Sequence, residues 1–241
     1  MTDFLLVHGA YHGGWCWRFV RDRLRAAGHR VLTPSLTGLG DRVHLMSPKV
    51  TLDTHVQDIV SLAEAEELKD AVLVGHSYGG RVITGAADRT WDRWRALVFV
   101  DAHMPKDGQS AFDTQIPERN EMVRRNVLPD GYRVAAPSAE SFFVEPRHRA
   151  WVDRRMVPQP LSGFTTPLRI RGDWAQVPRK TYILAKRFVP SAFHSYAAEC
   201  RRDPAWRVIE MDCGHDIMVD QPEELTRLLI EAATAAAPPG R

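Results

Sequence analysis

Apolar residues fall into short continuous runs separated by amphipathic stretches, and that alternation predicts the elements. DFLLV at 3–7 is the first run, stopped by His8-Gly9; Trp17, Val20 and Leu24 then recur at helical spacing up to a Gly28 C-cap. HRVLTP at 29–34 predicts a second strand ended by Pro34, and SLTGLGDR at 35–42 an irregular loop. THVQ, from Thr54, has capping-box form, with Val56, Ile59, Val60, Leu62 and Ala63 following at helical spacing. AVLVG at 71–75 and ALVFVDA at 96–102 are apolar throughout and rich in Val, as in strands buried on both faces of a parallel sheet, and residues from Tyr78 to Ala87 suit a helix between them. Strands at 180–184 (KTYIL) and 207–211 (RVIEM) and a helix from about Pro222 to Ala233 close the pattern, and the tail beyond is expected to fray.

Strand and helix alternating in this way imply right-handed crossovers and a mostly parallel, doubly wound sheet. The alternation fails between Met104 and about Pro178, where prolines, scattered aromatics and the charge-dense PRHRAWVDRR appear. A structureless loop of that length does not suit a compact domain, so 104–178 is read as an inserted cap, with short elements of its own, in a single domain spanning 1–241.

Composition narrows the function. Lys plus Arg number 32 against 30 Asp plus Glu, a net charge of +2, which gives no reason to expect nucleic acid and points to a small substrate without strong charge. Cys16, Cys200 and Cys213 are odd in number and lack metal-ligand spacing, so neither a disulfide framework nor a zinc site is expected. No signal peptide or membrane-length apolar run is visible, which suggests a cytoplasmic protein with no membrane partner. The preference for Arg and Ala suggests a GC-rich bacterial genome. Both monomer and homodimer remain open.

The candidate chemistry starts at VGHSYGG, residues 74–80. Gly75-x-Ser77-x-Gly79 lies where a buried strand meets a helix, the placement a nucleophile elbow needs, and the backbone N–H of Tyr78 would then face an oxyanion. The alternative is a structural serine in a glycine-rich turn. A base must be histidine, and His215 in MDCGHDIM follows the last predicted strand in the chain order serine, acid, histidine. The loop HGAYHGGW at 8–15 supplies a second oxyanion donor, the N–H of Ala10. Gly9, His12 and His76 flank these loops and are expected to touch substrate, with a structural hydrogen-bonded role for the two histidines as the alternative. Trp15 and Trp17 are assigned to the core.

HGAYHGGWCW, SLTGLGDR, VGHSYGG, DAHMP and CGHD together resemble the α/β-hydrolase superfamily, in particular its branch of methyl-salicylate-type esterases, hydroxynitrile lyases and bacterial esterase relatives. The resemblance covers nearly the whole chain apart from the cap. It implies an α/β-hydrolase fold and a serine, acid and histidine triad, mapped here onto Ser77 and His215, with Ala10 in the oxyanion hole. Lyases of the branch carry a lysine after the catalytic histidine and a threonine in the first oxyanion loop. Those positions here are Asp216 and Gly9, which favours an esterase.

The acid is the open point. The loop where the family places it reads YILAKRFVPSAF, and no Asp or Glu occurs between Asp173 and Glu199. Asp101, ending the run ALVFV, is read as the substitute, with a turn cap before Met104-Pro105 as the alternative. Asp216, next to His215, and Asp173, near the cap, are weaker candidates. His103 is read as a pocket wall. The reading is a serine carboxylesterase for a small apolar or aromatic ester, without metal or organic cofactor. A lyase or cyclase, or a ligand-binding protein with a degraded triad, stands as the alternative.

Overall fold

The computed structural model describes residues 1–234; the tail expected to fray, 235–241, lies outside the described residues. In chain order, β1 (Asp3–Val7), α1 (Arg18–Ala26), β2 (Arg30–Leu32), α2 (Leu52–Ala65), β3 (Ala71–His76), α3 (Gly79–Arg89) and β4 (Trp94–Val100) form the first half. The chain then leaves the sheet for α4 (Ala111–Thr114), α5 (Pro117–Arg125), β5 (Arg133–Val134), α6 (Pro146–Asp153), β6 (Gln159–Pro160) and α7 (Ser162–Thr165). It returns through β7 (Arg179–Ala185), α8 (Phe193–Arg201), β8 (Trp206–Met211), α9 (Ile217–Asp220) and α10 (Pro222–Thr234). Six strands stand in the order β2-β1-β3-β4-β7-β8, every neighbouring pair parallel. This is the α/β-hydrolase fold that the sequence motifs imply.

Strand order reverses between β1 and β3, and α1 packs with α10 while α2 packs with α3. The loops after β1 and β3 therefore open side by side at the switch point, where open α/β sheets bind ligands. Residues 71–76 are all buried, as the continuous apolar run at 71–75 requires. Two boundaries differ from the sequence reading. The N-cap of α2 is Thr51, whose hydroxyl accepts the Thr54 N–H while Thr54 reciprocates; Thr-x-x-Thr and Thr-x-x-Gln both fit the box, and the pattern favoured the one a turn too late. Strand β4 stops at Val100, so Asp101 has left the sheet with φ +42°.

Residues between β4 and β7 lie over the catalytic edge and carry a two-stranded antiparallel sheet, β5 with β6. Polar groups of α3 fasten them down. The fully buried Arg81 donates to the carbonyls of Gly163 (2.7 Å), Thr166 (2.8 Å) and Gln109 (3.3 Å). One helix end further on, the Asp88 carboxylate accepts the N–H groups of Arg171, Gly172 and Trp174. Arg81→Met fits the space but leaves the Gly163 and Thr166 carbonyls without their donor, at roughly 1–3 kcal/mol each before relaxation, while Gln109 O keeps the Leu168 N–H. The expected loss is about 3 kcal/mol in urea unfolding, with proteolytic cuts appearing first within 104–178.

Candidate active site

Ser77 sits between the end of β3 and the start of α3 with φ +52°, a left-handed conformation that costs a serine energy. The surroundings hold it there: its N–H donates to Val100 O at 3.2 Å and its carbonyl accepts the His103 N–H at 3.0 Å. The glycines of the motif are required by contact. A Cβ on Gly79 would lie 2.7 Å from the carbonyl oxygens of Val7 and His8, and one on Gly75 would lie 2.7 Å from Gly79 O. The helix can start directly against the sheet only without those atoms, and that close start turns the Ser77 side chain out over the strand ends.

His215 follows β8, and its Nδ1–H donates to Asp101 Oδ2 at 2.5 Å, so Nε2 is the nitrogen left for a substrate-side proton. The other Asp101 oxygen accepts the N–H of Ala185 at 3.1 Å, and the Asp101 N–H is held by Ile183 O. The structure thus brings Ser77, His215 and Asp101 to one place, with β4 rather than β7 delivering the carboxylate. The loop after β7, which lacks an acid, contributes differently. Its Ala185 N–H orients Asp101, and its Phe188 stacks on the His215 ring at 4.3 Å and 19°. Phe188 went unnoticed in the sequence because nothing marks an aromatic as the neighbour of a base. Asp173 lies in a surface turn bonded by Gln176, and Asp216 faces away from the ring of His215, towards His12.

Ala10 and Tyr78 line the same cavity as Ser77 and His215. Among the described residues neither backbone N–H has an acceptor, whereas the adjacent Tyr11 N–H is held by Gln159 Oε1 at 3.1 Å. Two open donors beside one hydroxyl form a site for negative charge. Buried imidazoles fix both. His8 accepts the Leu36 N–H on Nε2 and so donates from Nδ1 to Gly9 O, the carbonyl of the peptide that carries the Ala10 N–H. His55 accepts the hydroxyl of Tyr78 on Nδ1 while its Nε2–H donates to Thr37 O.

Gly9, His12 and His76, expected to touch substrate, are not among the residues that line the cavity of Ser77 and His215. A Cβ on Gly9 would meet His76 Nδ1 at 2.8 Å and Ser77 Cβ at 2.9 Å, so the glycine makes room for Ser77. His12 is buried, with Nδ1 on Ala10 O (2.7 Å) and Nε2 on Asp216 Oδ2 (3.0 Å). His76 donates to His215 O at 3.0 Å. Trp17 is fully buried as assigned, but Trp15 is only half-buried, lying between His12 and Trp151.

The cavity is walled by Phe112, Phe142, Phe164, Phe188 and Phe193. Its empty volume is about 550 Å³, the size of a small-molecule site. One polar wall interrupts the aromatics. His103, Gln115, Arg119 and Asn120 lie there, and Arg119 stacks on Phe188 at 4.4 Å.

Burial keeps His215 neutral. Desolvation pushes His215 down to about 3, against the pull of the Asp216 charge, so its imidazole is free to accept a proton at neutral pH. Burial pushes the Asp101 carboxyl up, and the Ala185 N–H holds it back. Burial also lowers His8 and His103 to about 3 and His55 to about 4. Below an unfolded-state value near 6.5, the unfolded chain binds protons that these four sites refuse until pH 3 to 4. What these four sites contribute is therefore complete above about pH 6.5 and is lost as pH falls through that window, by about 1.4 kcal/mol per pH unit for each site. The melting temperature is expected to collapse between pH 6 and 4.

Residues 4–228 match the Alpha/beta hydrolase family. The chain is 45% identical to the carbendazim hydrolyzing esterase of Nocardioides sp. (strain SG-4G), over 95% of this chain and 98% of that one. An alpha-hydroxynitrile lyase of Arabidopsis thaliana is 36% identical over 42% of this chain and 40% of its own length. Among solved structures, an extracellular alpha/beta-hydrolase from a Paenibacillus species shares the fold with a TM-score of 0.85 at 24% identity, covering 96% of this chain and 99% of that chain.

Proposed function

The chain belongs to the alpha/beta hydrolase family and is a carboxylic ester hydrolase, and from that premise we propose that it cleaves small esters with an aromatic or apolar group through an acyl-enzyme on Ser77. The observation that carries this reading is the meeting, in one aromatic cavity, of Ser77, a neutral His215 and two backbone N–H groups without acceptors. His215 takes the Ser77 proton as the hydroxyl attacks the ester carbonyl, while Asp101 holds the ring and stabilises its charge. The N–H groups of Ala10 and Tyr78 receive the developing oxyanion. His215 then protonates the leaving alcohol and afterwards activates the water that releases the acid.

Residues 104–178 act as the cap of a single domain and set specificity, with the polar wall of α5 meeting a polar substituent on the substrate ring. A bacterial, cytoplasmic location fits the three buried free cysteines; no described helix is long and apolar enough to cross a membrane. The enzyme needs neither nucleic acid nor a cofactor, and works as a monomer or homodimer. A lyase would need a cation beside the base, and Asp216 occupies that sequence position with its charge directed to His12. The test is a panel of aryl and alkyl esters, carbendazim included, run beside Ser77→Ala. Turnover of aromatic esters by the wild type alone supports the reading; equal turnover by Ser77→Ala, or none by either, rejects it.

A further inference from the structure

His12 and Asp216 form a buried pair that the triad does not use. His12 is 1% exposed and Asp216 fully buried. The ring of His12 meets an acceptor at each nitrogen, the Ala10 carbonyl at 2.7 Å and an Asp216 carboxylate oxygen at 3.0 Å. A neutral imidazole has one N–H and cannot serve both, so the geometry requires an imidazolium facing a carboxylate. Nearby charge does not cancel the pair. The nearest other imidazole, His76, lies 4.0 Å from the second Asp216 oxygen and is neutral, pushed far down by burial, its Nε2–H given to His215 O. Trp15, stacked on His12 at 5.1 Å and 24°, and Phe142 close off the remaining sides.

The ends of this pair rest on different parts of the site. The positive end holds Ala10 O, and with Gln159 on the Tyr11 N–H it pins both ends of the peptide that follows the oxyanion donor. The negative end is the residue after His215 and the N-cap of α9, whose N–H groups at Val219 and Asp220 return to the Asp216 carbonyl. Attack by a serine creates a negative oxygen at the Ala10 side and a positive imidazolium at the His215 side. We propose that the His12–Asp216 pair is a set of positioning residues whose charges run opposite to that separation, positive beside the oxyanion loop and negative beside the base loop, so that it favours the transition state over the bound ester. A fixed internal dipole of this kind needs no rearrangement when the reaction charges appear, which is why it acts on rate rather than on binding. The pull of Asp216 on His215 outweighs the push of His12, as this orientation requires.

The inference rests on the ester-hydrolase reading, and two measurements separate their failures. Nitrogen-15 spectra of the wild type should show both His12 ring nitrogens protonated from pH 6 to 8. Asp216→Asn keeps an acceptor for His12 and removes the charge; its acylation rate with p-nitrophenyl acetate should fall roughly 10- to 100-fold, short of the 10²–10³ typical of deleting an oxyanion donor, with KM moving less than about threefold. A His12 nitrogen without its proton at pH 7 overturns the proposal, as does an acylation rate in Asp216→Asn within about twofold of the wild type, or a loss carried by KM. If Asp216→Asn does not fold, the wild-type spectra decide alone. A wild type that forms no acyl-enzyme rejects the hydrolase reading itself, whereas a normal wild-type burst beside an unchanged Asp216→Asn burst rejects only the role of the pair.

Discussion

Asp101→Asn is expected to lower kcat for ester hydrolysis by about four orders of magnitude while leaving KM and the melting temperature close to wild type. The carboxylate accepts two donors, the Ala185 N–H on one oxygen and the His215 Nδ1–H on the other. An asparagine has a single acceptor oxygen. Kept on Ala185, it turns its NH2 group towards Nδ1, and the imidazole must then carry its proton on Nε2, where it cannot accept one from Ser77. Steady-state kinetics with a circular dichroism melt separate this tautomer effect from unfolding. A loss under tenfold would mean that Asp101 is not the acid of the site.

Ser77→Ala carries the largest effect, a fall in kcat of about 10⁶, because removing the nucleophile leaves only binding and the oxyanion donors. Stability should not follow activity. The φ of +52° at position 77 strains any residue with a Cβ, so Ser77→Ala should melt like the wild type. Ser77→Gly should melt higher, by the equivalent of about 1 kcal/mol, since glycine adopts this conformation freely. Calorimetry on the two variants checks it; a glycine variant that melts lower would mean the turn is not under strain.

The legible parts of the fold were those in which one period dominates. Continuous apolar runs such as AVLVG at 71–75 and ALVFV within 96–102 read as buried parallel strands, and their order along the chain fixed where the loops carrying Ser77 and Ala10 would open. Contacts made at a distance were harder to read. The empty acid position was visible as a missing carboxylate in AKRF, but a sequence does not show that Ala185 and Phe188 from that loop would serve Asp101 and His215 by a backbone N–H and a ring face. His12 and His76 flank the two oxyanion loops in sequence, but their partners, Asp216 and the carbonyls of Ala10 and His215, lie up to 204 residues away. Arg81 and Asp88 gave no signal beyond being charges on an apolar helix, because their acceptors and donors are backbone groups of the segment above.

The measurement closest to the central claim is intact-protein and peptide mass spectrometry of the enzyme quenched during the burst with p-nitrophenyl acetate. The account predicts one acetyl group per chain, located on the peptide containing Ser77, lost on further incubation and absent in Ser77→Ala. Ester turnover with no acetyl group on Ser77 would contradict it.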